Sequence, residues 1–336
     1  MIKLIIEDNK QVIFYNLKYG INLPVKKEFK DYVIPELENL NAKAIYILTE
    51  NDRKIGHCLF YKFDNILYFG FFSFKYKNKI IGKAIIENLI KIAKEEKCNI
   101  IRGPINLPPY IYGFGFSEEG SDPSIFCGTP YTDPSYIELF KNEGFELWHR
   151  LLWLRVEIKS KLPYEKVWDI KNPDLNSDDW IDPFLELQAK YFPESARITP
   201  KRNKEVVLAA LKFLKKYGSN KFIYLAYDNN NKLIGLGYAM PNPFDLKQLK
   251  TIDITQTCRT NSALLFGGVV DPEYQKHKIM FQIFGEFFDY CLSSGIKIGE
   301  CVLGEDNIAS KTLLEKLGGN VVRKYQILQK RIFQST

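Results

Sequence analysis

What constrains this chain most is an order of elements that occurs twice. In the first half, residues 44–48 and 57–63 are alternating β-formers on either side of the polar turn Glu50-Asn51-Asp52-Arg53-Lys54, which is a hairpin pattern, and 66–74 continues it as a third strand rich in Phe and Tyr. Residues 81–95 follow, with Ile81, Ile85, Leu89, Ile92 and Ala93 on one helical face and the charges opposite. A strand is predicted over 99–102, a short helix over 135–142 that stops at Gly144, and a closing strand over 151–158. The second half, after helical patterns at 180–191 and 204–217, runs through the same series. It has a hairpin at 222–227 and 233–240, a strand at 263–270, a turn at 271–278 and a helix at 279–292. A strand at 299–303, a short helix at 307–317 before Gly318-Gly319, and a last strand at 321–333 complete it. Two copies of one α/β unit, with a period of about 165 residues, account for this order.

Length agrees, because 336 residues exceed what a single core usually serves. The domains are expected at 1–158 and 159–336, with the boundary in the Pro-, Asn- and Asp-rich stretch 159–179. Each is expected to hold a mixed, mostly antiparallel sheet flanked by helices. No apolar run approaches the roughly 20 residues that cross a bilayer, and the start MIKLIIEDNK lacks a signal-peptide pattern, so a cytoplasmic protein without a membrane partner is expected. The 47 basic and 40 acidic side chains leave a net charge of +7 that is spread along the chain. A nucleic-acid partner is therefore not expected, whereas a small phosphorylated ligand would suit a mild positive bias. Six cysteines without a C-x-x-C pair, and only three histidines, point to reduced thiols and no metal centre. The Gly- and Pro-punctuated stretch 108–132 is long for a structureless loop and is expected to be functional or lid-like.

The run Val269-Val270-Asp271-Pro272-Glu273-Tyr274-Gln275 resembles the GNAT superfamily of acyl-CoA-dependent acyltransferases, whose central strand ends in V-x-P-x-[YWF]-[RQ] and enters a loop Q-x-x-G-x-[GA]. Asn307 opening a short helix and Leu317-Gly318-Gly319 closing it resemble later elements of that family. In the first half, Arg102-Gly103-Pro104-Ile105-Asn106, Gly113-Phe114 and Pro130-Tyr131 are similar to tandem GNAT-like proteins that carry a G-P-x-N element. The resemblance covers nearly the whole chain. It implies two GNAT-like domains, acetyl-CoA or another acyl-CoA as co-substrate, and a small-molecule or peptide amine as acceptor, with a homodimer as one possible assembly. Carried onto this sequence, the cofactor-binding residues are Val269, Val270, Gln275, Lys276, His277, Lys278, Ile279, Met280 and Asn307. The physical basis is general: amides at a strand-to-helix turn and the positive end of a helix favour a pyrophosphate.

The chain departs from the family pattern in the loops. Lys278 stands at the first Gly position and Met280 at the small-residue position; in the first copy the frame gives Lys77, Ile80 and Gly82. Cofactor binding is thus expected in the second domain, with the first degenerate. The central strand carries no acid, and the position of the family's late Tyr falls on Leu314 and Phe140. Tyr325, Cys258 and Asp253, with Arg259 beside them, are the substitutes the sequence offers. Two readings stay open: an N-acyltransferase working through the second domain, its acceptor recognised with help from 108–132, or a non-catalytic GNAT-fold binding protein for a small molecule or peptide. A transferase like the paired-domain Fem or mycothiol-synthase enzymes is a third.

Overall fold

The computed structural model describes residues 3–17, 27–75, 78–124, 126–191, 204–217, 219–242, 244 and 261–332. They form two compact units, one of Met1–Leu152 with Arg323–Thr336 and the other of Trp153–Val322. The final strand thus begins in the second unit and ends in the first. No described helix is long and apolar enough to cross a membrane.

The first unit contains β1 (Lys3–Glu7), α1 (Lys10–Asn16), α2 (Lys30–Asn39), β2 (Lys43–Leu48), β3 (Lys54–Phe63), β4 (Ile66–Phe74), α3 (Lys79–Glu95), β5 (Ile100–Gly103), α4 (Pro109–Tyr112), β6 (Phe116–Ser117), α5 (Ser135–Asn142) and the start of β7 (Glu146–Glu157). The second contains the end of β7, then β8 (Asp169–Lys171), α6 (Ile181–Tyr191), α7 (Lys204–Tyr217), β9 (Ile223–Tyr227), β10 (Leu233–Pro241), β11 (Ser262–Val270), α8 (Ile279–Ser294), β12 (Ile298–Gly304), α9 (Ile308–Lys316) and the start of β13 (Asn320–Arg331). Up to their closing strands both units follow the order read from the sequence; of the closing strands, residues 153–157 of β7 lie in the second unit and residues 323–331 of β13 in the first. In the first, β1 to β4 run antiparallel, β4 pairs with β5 in parallel, and β5 pairs antiparallel with β13. In the second, β8 to β11 run antiparallel and β11 pairs with β12 in parallel. The parallel pair β4–β5 or β11–β12 in each unit is joined by the crossover that the long helix α3 or α8 makes.

The parallel pair of the first unit is closed. After Ile66↔Ile100, Leu67↔Ile101 and Tyr68↔Arg102, the Ile105 amide still reaches the Phe69 carbonyl at 2.7 Å. A register shift between His57 and Leu59 leaves an extra residue on β4, where Phe71 takes a φ of 48°. A bulged residue loses its ladder partner, and a buried backbone N–H must find another acceptor. Here the acceptor is the Asn106 side chain: its Oδ1 accepts from the Phe71 N–H at 2.6 Å and its Nδ2 donates to the Tyr112 carbonyl at 2.8 Å. Aromatic rings fill what remains beneath the sheet, with Phe140 stacked on Phe69 at 4.9 Å and edge-on to Phe72 at 4.8 Å.

Most described residues of the stretch 108–132, expected to be functional or lid-like, are packed into the core. Tyr110, Ile111, Tyr112 and Phe116 are buried, and Ser117 and Thr132 exchange hydrogen bonds across its neck. Its physical reason is Asn106, which ties the segment to the bulge. Replacing Asn106 with Ala is predicted to cost about 3 kcal/mol, because two buried backbone groups lose their partners. Urea unfolding checks this, and a loss below about 1 kcal/mol would mean that water replaces the side chain without penalty.

Candidate functional site

In the second unit the corresponding strands part. Parallel pairing runs from Ser262↔Ile298 to Leu265↔Cys301 and stops, although β11 continues to Val270 and β12 to Gly304. Between them lies a cavity of about 270 Å³, lined on β11 by Gly267 to Val270 and on β12 by Cys301 to Gly304. As in the first unit, a register shift, here between Tyr238 and Ala239, gives the central strand one extra residue, at position 266. The bulge sits where the strands separate.

The loop from β11 to α8 is fixed from several sides. The Asp271 side chain accepts from the Glu273 N–H at 3.2 Å and from Lys232 Nζ at 3.1 Å. Tyr274 donates its hydroxyl to Asp228 at 3.0 Å. Trp168, in the connection between the halves of the sequence, donates its indole N–H to the His277 carbonyl at 2.9 Å. Gln282, which is buried, accepts from the Val167 and Trp168 amides and donates to the Trp168 carbonyl. The backbone of the loop is therefore over-determined. That matters because Lys276 and Lys278 have φ of 75° and 59°, the left-handed region in which an L-residue pays roughly 1–2 kcal/mol. Lys278 is where the GNAT motif has glycine, and it adopts the glycine conformation.

Gln275 and Met280, on either side of the start of α8, both line the cavity. The Gln275 and His277 amides bond within the turn, to Pro272 and Tyr274. Lys278 at the N-cap makes no side-chain cap, the first turn holds no acid, and the first bond into the helix is Gln282 N–H to the Lys278 carbonyl. The amides of Ile279, Met280 and Phe281 come before that bond and carry the positive end of the helix dipole. In the first unit the matching helix caps itself, Asn78 Oδ1 accepting from the Ile80 amide at 3.1 Å. Met280, at the small-residue position, is accommodated by Gly268: a Cβ there would lie 2.2 Å from the Met280 Cε.

Of the residues expected to bind cofactor, Val269, Val270, Gln275, Met280 and Asn307 line the cavity. Lys276, His277 and Lys278 form the exposed turn at the β11 end, and Ile279 is buried against Gly235. Asn307 caps α9 by accepting from the Ser310 amide at 3.1 Å. Tyr325 lies elsewhere, fully buried in the first unit opposite Ser117. Asp253, Cys258 and Arg259 fall outside the described residues. Sequence reasoning missed the inner wall, formed by Phe222, Tyr224, Gly237, Ala239 and Cys301; the only hint was Gly235-x-Gly237 inside a strand pattern, and those glycines let α8 approach, since a Cβ on Gly237 would meet Ile283 at 2.7 Å.

No carboxylate, histidine or lysine lies among the described residues lining the cavity. Burial pushes the Cys301 thiol up to about 12 and also raises Tyr224, so both stay protonated near neutrality. No cluster of metal ligands occurs among the described residues. The cavity can position a ligand, and its described lining holds no carboxylate or imidazole to act as a base.

No family model and no curated protein matches the sequence. Among solved structures, a tandem GNAT protein from the clavulanic acid biosynthesis pathway, solved without AcCoA, superposes with a TM-score of 0.63 at 12% identity, covering 100% of both chains. The chain has a tandem GNAT fold. A GCN5-related N-acetyltransferase from Sphaerobacter thermophilus matches at TM-score 0.57 and 10% identity over 87% of this chain and 82% of that one. Another, from Anabaena variabilis, matches at 0.52 and 10% over 98% and 73%. Within this fold, the two central strands of the second unit part where those of the first stay joined.

Lys278→Gly relieves the left-handed strain while adding chain entropy to the unfolded state, for a net gain of about 0.5–1 kcal/mol in denaturant unfolding; a loss of stability would show that the Lys278 side chain, and not the backbone, holds the turn. Asp271 is raised by burial but held, on balance, below its ordinary 3.8 by the Glu273 amide and Lys232. A lowered folded value stabilises fully above pH 3.8 and is lost as pH falls through the lower one. Asp271→Asn should therefore flatten the acid limb of a melting-temperature profile below about pH 4, and an unchanged limb would contradict the assignment.

Proposed function

We propose that the second unit binds an acyl-CoA and transfers its acyl group to an amine, with the first unit a sealed copy that binds none. The observation that carries this is the parting of β11 from β12 around a cavity at whose outer end α8 begins without a side-chain cap. A pyrophosphate suits those first-turn amides, and Lys276 and Lys278 add screened attraction at the rim. The pantetheine arm suits the slot between Gly268 and Asn307. The carbonyl of a thioester suits the bulge, and the first unit supplies the internal argument: at its own bulge a side-chain carbonyl, that of Asn106, takes the freed amide.

The reaction is balanced by general chemistry. The neutral amine nitrogen attacks the thioester carbon, a C–N bond forms, the C–S bond breaks, the nitrogen loses its proton and the leaving thiolate gains one. With no carboxylate or histidine among the described lining residues, water carries these protons, and the protein contributes chiefly by holding the two reactants in reacting geometry. The Leu314 and Phe140 positions fit this reading, since neither copy has the phenol of the family there. The acceptor is a small-molecule or peptide amine, and the setting is the cytoplasm.

Titration calorimetry of the full chain with CoA is expected to give one site per chain. Binding should weaken about tenfold or more in a Lys276→Glu, Lys278→Glu double variant, whose added charges repel the diphosphate. Absence of heat at millimolar CoA, or two equivalent sites, would overturn the proposal.

A further inference from the structure

The cavity of the second unit continues past the point where a thioester carbonyl would be held. On β11 its lining includes Leu265, which precedes the bulge, as well as the residues that follow it. On β10 it includes Gly237 and Ala239, the latter paired with Leu265, and it reaches β9 at Tyr224, the partner of Gly237. From β11 across β10 to β9 is two inter-strand spacings, about 9–10 Å. An acetyl group needs only the first of them.

The inner part is walled mainly by aromatic and aliphatic side chains. Phe222, Tyr224, Ile283 and Phe287 wall it, each no more than 5% exposed, while Ala239 and Leu265 are 4% and 7% exposed. Ile283 and Phe287 come from α8, so this extension lies on the helix side of the sheet. A wall of this kind suits a polar amine acceptor poorly. It suits a chain carried in on the thioester.

Resting on the acyl-CoA reading above, we infer that the group this site takes is an acyl chain longer than acetyl, an apolar chain whose tail lies over Ala239 and against Phe222, Tyr224 and Phe287. Each methylene fully buried there contributes about 0.8 kcal/mol, close to fourfold in affinity.

The test is a calorimetric series on the full chain with CoA, acetyl-CoA, butyryl-CoA and hexanoyl-CoA. Butyryl-CoA is expected to bind about fivefold or more tighter than acetyl-CoA. An Ala239→Leu variant, which fills the inner space, is expected to bring the butyryl-to-acetyl ratio back toward one. Equal or weaker binding of the longer thioesters, with acetyl-CoA bound, would overturn the inference and leave the acyl-CoA reading standing. Failure of CoA and acetyl-CoA alike would remove both. If Ala239→Leu does not fold, the wild-type series decides alone.

Discussion

A backbone amide turned out of its ladder inside an apolar core must find an acceptor, and the two halves of this chain meet that demand differently. Both central strands carry a bulge next to the parallel pair they form, β4 with β5 and β11 with β12. In the first unit, Asn106 answers the bulge at Phe71 and the segment following β5 is drawn in with it. The helix beside it is closed by Asn78. In the second unit the neighbouring strand turns away after Cys301 and a cavity stands in its place. Every functional statement about the molecule descends from this difference between a filled and an open wedge.

The loop at the open wedge shows how a glycine motif can be lost while its backbone persists. Lys276 and Lys278 hold left-handed conformations that cost free energy locally. The cost is offset by bonds from outside the loop: the Trp168 indole to the His277 carbonyl, the tie between Gln282 and residues 167–168, and the Asp271 and Asp228 contacts. A similar compensation joins Met280 to Gly268, where the larger side chain on the helix is matched by the missing one on the strand.

Much of this architecture was legible in the sequence, because alternation and helical periodicity report burial directly. The hairpins, the long helices and the short helix opened by Asn307 all appear where the pattern puts them. Five of the residues picked for the loop and its surroundings do line the cavity. What periodicity does not report is an extra residue in a strand, since one bulge leaves the apolar pattern nearly intact; hence neither bulge was anticipated. Nor does composition tell a lid from a plug: 108–132 looks like a mobile loop by its glycines and prolines, and the hydrogen bonds of Asn106, Ser117 and Thr132 that draw it into the core leave no mark on composition. The inner wall was hidden for a related reason, because Phe222, Tyr224 and Ala239 look like ordinary core residues until their packing leaves a gap between them.

The central claim is that the wedge of the second unit takes a diphosphate-bearing ligand and that of the first does not. Amide hydrogen exchange on the full chain, with and without CoA, tests it most directly. The account predicts slowed exchange in peptides covering 266–270 and 275–281, with no change across 69–82. Protection across 69–82, or none at 275–281 under saturating CoA, would contradict it.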